Sequence, residues 1–373
     1  MTYWDNARSI LCVRLDSMGD VLMTTPALRA LKEGIPDRRL TLLSSPSGVE
    51  MGQLIPEIDD VLCYQAPWLK ATPLRSSSVL DRQFCDDLRS RHFDAAVIFT
   101  VFSQNPLPAA QLCYLADIPL RLAHCRENPY QLLTHWVPET EPQNGIRHEV
   151  QRQLDLVEQI GCTTTNTAMS CHVPPPALAT VLELLDRQGV VPSGPWMVLH
   201  PGATAASRRY PVELFAKCAA ALRREGFEVI ITGGVNEAPL IEQLQRLTPQ
   251  PLISLAGKLN LDEMAALLSL APVLITNNTG PAHLGAALGT PVVDLYALTN
   301  PQHTPWQTPS RVLFQEVDCK YCFKSVCPEQ HHNCLRQVPP ERVVKAALEL
   351  YAEAQIATFT AVPERESGGQ RGT

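Results

Sequence analysis

Within nine residues, Arg14-Leu15-Asp16-Ser17-Met18-Gly19-Asp20-Val21-Leu22 supplies an arginine, two aspartates, a serine and a glycine, directly after an apolar run. Where a strand hands over to a helix, free backbone N–H groups and the positive helix end favour a carboxylate or an anionic ligand. Asp20 at such a junction can act as a general base, taking the proton from an acceptor hydroxyl as that oxygen attacks an activated carbon. Asp16, Ser17 or Asp20 can equally cap the helix, the commoner role for such residues there. A second segment, His200-Pro201-Gly202-Ala203-Thr204-Ala205-Ala206-Ser207-Arg208-Arg209-Tyr210-Pro211, joins an apolar run to a helical one through small residues. Its amides can approach phosphate oxygens, and Arg208 or Arg209 can neutralise a diphosphate leaving group. The alternative is an ordinary turn with two solvated arginines.

The third segment, Thr276-Asn277-Asn278-Thr279-Gly280-Pro281-Ala282-His283, repeats the design. Gly280 permits close approach, Thr279 offers a hydroxyl, and the helix starting near Pro281 turns its N-terminus to the same side. His283, one turn in, reads as structural on its own. Gly233-Gly234 after another apolar run fits the same layout, with Glu237 as a ribose-hydroxyl ligand.

Such turns need strands and helices in alternation to hold them. The expected strands are Ser9–Leu15, Arg39–Ser44, Asp60–Tyr64, Asp94–Phe99, Trp196–His200, Glu228–Thr232, Val273–Thr276 and Val292–Tyr296. Helical spacing falls on Val21–Leu31, Val79–Ser90, Pro108–Leu115, Glu149–Ile160, Leu178–Gln188, Val212–Glu225, Ala238–Leu247, Leu261–Leu268, Ala282–Leu288 and Pro340–Ala354. This is the pattern of parallel βαβ units, and 373 residues exceed what one core usually organises. The breaker-rich stretch from Thr163 to Pro195 separates two similar halves, so the expected α/β architecture is two Rossmann-like, doubly wound domains facing across a cleft. The units are residues 1–175 and 176–358, with a polar, glycine-rich and disordered tail at 359–373. Ligands of open parallel sheets bind at the carboxyl ends of the strands, which puts the turns in the cleft.

A formal net charge of −7 argues against a general nucleic-acid binder. Neither a run of about 18–20 apolar residues nor a basic-then-apolar leader is present, so a cytoplasmic protein is expected.

With the Ser17-Met18-Gly19-Asp20-Val21-Leu22 block followed by Thr25-Pro26-Ala27, the His200-Pro201-Gly202 turn with Arg209-Tyr210-Pro211, and Asn278 to His283 followed by Gly289-Thr290-Pro291, the chain resembles glycosyltransferase family 9, the heptosyltransferases of lipopolysaccharide inner-core synthesis. The likeness runs from about residue 8 to 350. It implies an inverting, metal-independent enzyme of the GT-B type that needs no cofactor for catalysis, with residues 1–175 binding the acceptor and 176–358 the nucleotide sugar. ADP-activated heptose would be the donor, and a lipopolysaccharide-core or related, lipid-linked glycan the acceptor, whose amphiphilic character would bring the enzyme to the inner membrane surface. The family's proposed general base falls on Asp20, which places that role ahead of capping. Its basic residue before the aromatic-Pro pair falls on Arg208, in place of the usual lysine. Its acidic residue before Ser/Thr-Gly falls on Asn278, which loses the charge. Thr204, Arg209, Gly233, Glu237, Asn278, Thr279, Gly280 and His283 form the expected donor-binding set, and Ser17, Met18 and Gly19 the acceptor-binding one. A protein that binds nucleotide sugar or glycan without turnover, and a nucleotide-sugar epimerase, are the competing readings.

Of twelve cysteines, Cys319, Cys322, Cys327 and Cys334 form a CxxC-x4-C-x6-C pattern beside His331 and His332. Tetrahedral Zn²⁺ suits such ligands, an iron–sulfur cluster less so, and free thiols or two disulfides are the alternatives; a reducing compartment argues against disulfides. The expectation is a structural Zn²⁺ pinning the segment 319–334.

Overall fold

Short apolar runs buried on both faces build both sheets, as parallel strands covered by helices require. In β1 (Ser9–Arg14) every residue after Ser9 is buried. The computed structural model describes residues 3–70 and 72–360. In the first unit β1 is followed by α1 (Met18–Lys32), β2 (Arg39–Ser44), α2 (Pro46–Gly52), β3 (Asp60–Cys63), α3 (Val79–Ser90), β4 (Ala95–Ile98), α4 (Leu107–Leu115), β5 (Leu120–Cys125), β6 (His135–Pro138) and α5 (Glu149–Glu158). The second contains α6 (Pro175–Arg187), β7 (Trp196–His200), α7 (Val212–Arg224), β8 (Glu228–Ile231), α8 (Ala238–Leu247), β9 (Ile253–Ser254), α9 (Leu261–Leu270), β10 (Leu274–Asn277), α10 (Gly280–Ala287), β11 (Val292–Leu295), β12 (Ser310–Leu313), α11 (Asn333–Arg336) and α12 (Pro340–Thr360).

Each unit holds one six-stranded sheet, ordered β3-β2-β1-β4-β5-β6 and β12-β11-β10-β7-β8-β9. Every strand pairing is parallel. Chain direction reverses across the sheet between β1 and β4 in one and between β7 and β10 in the other. Those are the switch points where connections diverge and leave a crevice. The fold is therefore two doubly wound, Rossmann-like domains of the GT-B type.

Helix α1 crosses the interface. It packs on α5 and α2 within its own unit and on α10 of the other, and it is apolar nearly all round because it is covered nearly all round. Residues between α5 and α6 run back over the first unit: His172 N–H donates to the Leu54 carbonyl (2.7 Å) and Ser170 N–H to Thr25 Oγ1 (3.0 Å). Helix α6 then packs on α9 of the second unit.

Strands β5, β6, β9 and β12 and helices α2 and α11 stand where the hydrophobic spacing predicts no element. Strands β6, β9 and β12 lie at sheet edges and are only partly buried, so their apolar signal is weak, whereas β5 is buried but its apolar run is broken by Arg121 and His124. Helix α12 continues through Thr360, so residues 359 and 360 are helical where a tail was expected. The rest of that expected tail, 361–373, lies outside the described residues.

Candidate active site

The turn after β1 is organised by Arg14, the last residue of the strand, whose side chain has no exposed surface. Its Nε lies 3.1 Å from Asp16 Oδ2, and its Nη2 lies 3.2 Å from Asp20 Oδ1 and 2.9 Å from Glu149 Oε1. Asp20 Oδ2 accepts hydrogen bonds from Ser17 N–H (3.2 Å) and Ser17 Oγ (2.7 Å). Asp20 thus caps α1, and it also keeps 17% of its side-chain surface open towards the cleft. The cap and a general-base role are compatible, since Oδ2 takes both bonds from Ser17 whereas Oδ1 accepts only from Arg14 and keeps a second lone-pair site. Burial pushes the Asp20 carboxyl up, but Arg14, then His303, Ser17 and His283, outweigh it and hold it down to about 2. Asp16 is pushed up, chiefly by burial, while Gln104 Nε2 donates to its Oδ1 at 2.5 Å.

Across the cleft, Asn277 at the end of β10 fastens the turn after β7. Its Nδ2 donates to the carbonyls of Pro201 (2.8 Å) and Gly202 (3.2 Å), and its Oδ1 accepts from Tyr210 N–H (2.9 Å). Arg208 closes a short 3-10 turn, Ala206–Arg208, held from the cysteine-rich segment: Ser207 Oγ donates to the Lys324 carbonyl (2.7 Å) and Ser207 N–H to that of Ser325 (3.0 Å). Thr279 stands at the N-cap position of α10, its hydroxyl donating back to the Asn277 carbonyl (3.3 Å), and the first turn of this helix faces the N-terminus of α1. The contact is reciprocal: a methyl on Gly19 would stand 2.7 Å from His283 Cδ2, and one on Gly280 would stand 2.7 Å from the sulfur of Met18. Glycine at these two positions is what lets the helix ends meet.

Between these walls is a cleft of about 310 Å³ lined by Asp16, Ser17, Gly19, Asp20, Arg208, Thr279, Gly280, His283 and, from loops that sequence motifs do not single out, Gln302, His303, Phe323 and Lys324. Among the described residues, neither the Arg208 guanidinium nor the Lys324 ammonium makes an ion pair or a side-chain hydrogen bond, which leaves two cations for an anionic ligand. Burial lowers His283 to about 4, so its ring is uncharged at neutral pH.

The remaining expected residues stand elsewhere. Met18 packs on Gly280 rather than lining the cleft, and Thr204 and Arg209 are exposed on the far side of their turn, with Arg209 Nε donating to the Ala203 carbonyl (2.7 Å). Gly233 and Glu237 sit beyond β8, and the Glu237 carboxylate fills the space where a Cβ on Gly202 would be. Asn278 is buried at the back of the wall: its Nδ2 donates to the His303 carbonyl (2.6 Å) and to Asp294 Oδ2 (3.3 Å). A carboxylate at 278 could make neither bond and would face Asp294, which is the physical reason an amide stands there. Asp294, fully buried, is pushed up to about 8.

The four clustered cysteines are free thiols, and Cys319 Sγ lies 3.8 Å from His331 Nε2. Among the described residues no group of three or more His, Cys, Asp or Glu side chains is arranged to hold a metal ion. The segment still positions the cleft wall, through the carbonyls that hold Ser207 and through Tyr321 and Phe323, whose N–H groups donate to Leu298 and Thr299.

This geometry, a carboxylate at one switch point facing a cation and a helix N-terminus at the other, suits displacement of a diphosphate by a hydroxyl. The sequence profile of glycosyltransferase family 9 (heptosyltransferase) matches residues 82–333, well over half of the chain. The chain belongs to glycosyltransferase family 9. It is therefore a glycosyltransferase. Among relatives, lipopolysaccharide heptosyltransferase 3 of Escherichia coli is 26% identical over 307 residues, covering 80% of this chain and 85% of that one. Two solved structures share the fold. The glycosyl transferase family 9 protein of Veillonella parvula DSM 2008 has a TM-score of 0.78 at 22% identity and covers 95% of this chain and 98% of that one. The ADP-heptose lps heptosyltransferase II of E. coli has a TM-score of 0.73 at 20% identity, covering 93% and 99%. The family match spans both the Arg208 turn and the Asn278–His283 turn, and ends within the cysteine-rich segment.

Proposed function

We propose that this family 9 glycosyltransferase moves a heptosyl group from ADP-heptose to a hydroxyl of a lipopolysaccharide-core glycan, with inversion at the anomeric carbon. The observation that carries the reading is the opposition of Asp20 to Arg208 and the N-terminus of α10 within one cleft. The acceptor oxygen attacks the anomeric carbon, and its new bond forms as the bond to the diphosphate breaks. The electron pair leaves with ADP. Asp20 takes the hydroxyl proton. A carboxylate held near 2 is ionised at all working pH values but holds a proton weakly, so transfer comes late, once the attacking oxygen carries positive charge. The negative charge growing on the departing phosphate meets Arg208, Lys324 and the positive N-terminal end of α10, which count most in the transition state. Glu237 is assigned to a ribose hydroxyl of the donor.

Turnover is favoured over mere binding because Asn278, the departure from the family pattern, is committed to Asp294 and His303 and takes no charge from the reacting face. Peripheral contact with the inner membrane is assigned to the first unit, where Trp68, Leu74, Leu80 and Leu115 expose apolar surface. Among the described residues no helix is long and apolar enough to cross a membrane.

Thermal stabilisation by a nucleotide panel tests the donor assignment, because a ligand that binds only the folded state raises its stability by mass action. ADP and ADP-heptose should raise Tm, by about 2–4 °C per kcal/mol of binding for units of this size, and UDP and GDP compounds should not. A larger shift with UDP- or GDP-sugars would contradict the assignment.

A further inference from the structure

The loop from Tyr296 to Trp306 carries no motif, yet it is the most heavily braced part of the cleft wall. His303 is held on every side. Its backbone N–H donates to Tyr296 Oη (3.3 Å), its carbonyl accepts from Asn278 Nδ2 (2.6 Å), and its Nδ1 lies 3.3 Å from Asn300 Nδ2. Tyr296 Oη in turn donates to Asn300, at its carbonyl (2.7 Å) or its side-chain oxygen (3.2 Å), which turns the Asn300 amide nitrogen towards the ring. An amide nitrogen only donates, so Nδ1 is an acceptor and the ring proton sits on Nε2. From the first unit, the loop is held by Glu149 N–H donating to the Gln302 carbonyl (3.0 Å) and by His148 Nε2 at 2.9 Å from the Thr304 carbonyl.

All this bracing ends in unmet hydrogen-bonding capacity. His303 is 8% exposed and Gln302 4%, both line the cleft, and among the described residues neither His303 Nε2 nor Gln302 Oε1 has a hydrogen-bond partner. Buried polar atoms without partners are uncommon, and a loop that spends side chains on orienting one such ring is preparing it for a ligand. Burial lowers His303 to about 3, against the pull of Asp20, so the ring meets the ligand uncharged. A group that is at once a hydrogen-bond donor and acceptor suits the pair, and a hydroxyl is such a group.

We infer that His303 and Gln302 recognise hydroxyls of the sugar being transferred, His303 donating from Nε2 and Gln302 accepting at Oε1. The assignment to the donor's sugar, rather than the acceptor's, follows from the loop's place on the second sheet beside Arg208 and α10. It rests on the glycosyl-transfer reading above and names the residues that distinguish one transferred sugar from another.

Calorimetric titration of the full chain with ADP and with ADP-heptose separates the possibilities. The wild type should bind ADP-heptose more tightly than ADP. His303→Met, which fills the space without a donor, and Gln302→Leu should leave ADP binding within about twofold and weaken ADP-heptose roughly tenfold, the loss expected when one neutral partner of a buried hydrogen bond is removed. His303→Gln, whose amide returns an N–H, should recover most of that loss. Equal weakening of ADP and ADP-heptose would make His303 a packing residue and overturn the inference, as would a sugar preference that survives both substitutions. Variants that lose only acceptor affinity in transfer kinetics would also overturn it, moving the contact to the other sugar. If the wild type itself binds ADP-heptose no better than ADP, the donor reading falls together with this one.

Discussion

Arg14 has no exposed side-chain surface and three carboxylates around it, Asp16, Asp20 and Glu149. Its charge is the largest of the influences that hold the Asp20 carboxyl down against burial. Removing one member of a buried ion cluster leaves the others uncompensated. Arg14→Met should therefore lower stability by about 3–5 kcal/mol at pH 7 in denaturant titrations. The deficit should shrink towards pH 4 as the stranded carboxyls take up protons, while a deficit independent of pH would point to lost packing instead. This centre was half legible in the sequence. Ser17, Gly19 and Asp20 stand in a compact block, whereas Glu149 arrives from 135 positions away and nothing local announces it. His303 and Gln302 were illegible for a related reason: their significance lies in what braces them, and Tyr296, Asn278 and Asn300 carry no spacing that advertises a shared task.

At the scale of elements, the ends of β10 and β11 carry a buried polar pair, Asn278 and Asp294, behind the donor wall. Asp294 is protonated in the folded chain until about pH 8, whereas in the unfolded chain it ionises near 4. Between those values the folded state binds the extra proton, so this group makes stability fall as pH rises through the window and flatten above it. The slope from one such group approaches 1.4 kcal/mol per pH unit at most. Asp294→Asn should flatten the stability profile between pH 5 and 8 and raise Tm at pH 8; an unchanged slope would mean that Asp294 is ionised in the fold. The strands bearing this pair were readable because a parallel strand buried on both faces is an unbroken apolar run. Strand β5, whose run is broken by Arg121 and His124, strand β9, two residues long, and the half-buried edge strands β6 and β12 offer no such run, so the sheets came out narrower in the sequence than in the molecule.

For the whole molecule, two sheets with the same strand order place their switch points opposite one another, and the helix ends at Gly19 and Gly280 bring the units into contact there. In the first unit, the one assigned to the acceptor, Trp68, Leu74, Leu80 and Leu115 expose apolar side chains. Sedimentation with phospholipid vesicles should recover the wild type, and Leu74→Ser with Leu80→Ser should reduce recovery severalfold without shifting Tm; equal recovery would remove the membrane contact from this face. The central claim concerns Asp20. Transfer from ADP-heptose to a lipopolysaccharide-core acceptor under single-turnover conditions, wild type against Asp20→Asn, tests it most directly. With a general base removed and the cap nearly isosteric, the rate should fall roughly 10²–10⁴-fold while ADP-heptose affinity stays within a few-fold. A variant that transfers at close to the wild-type rate would contradict the account, leaving Asp20 as the cap of α1 and nothing more.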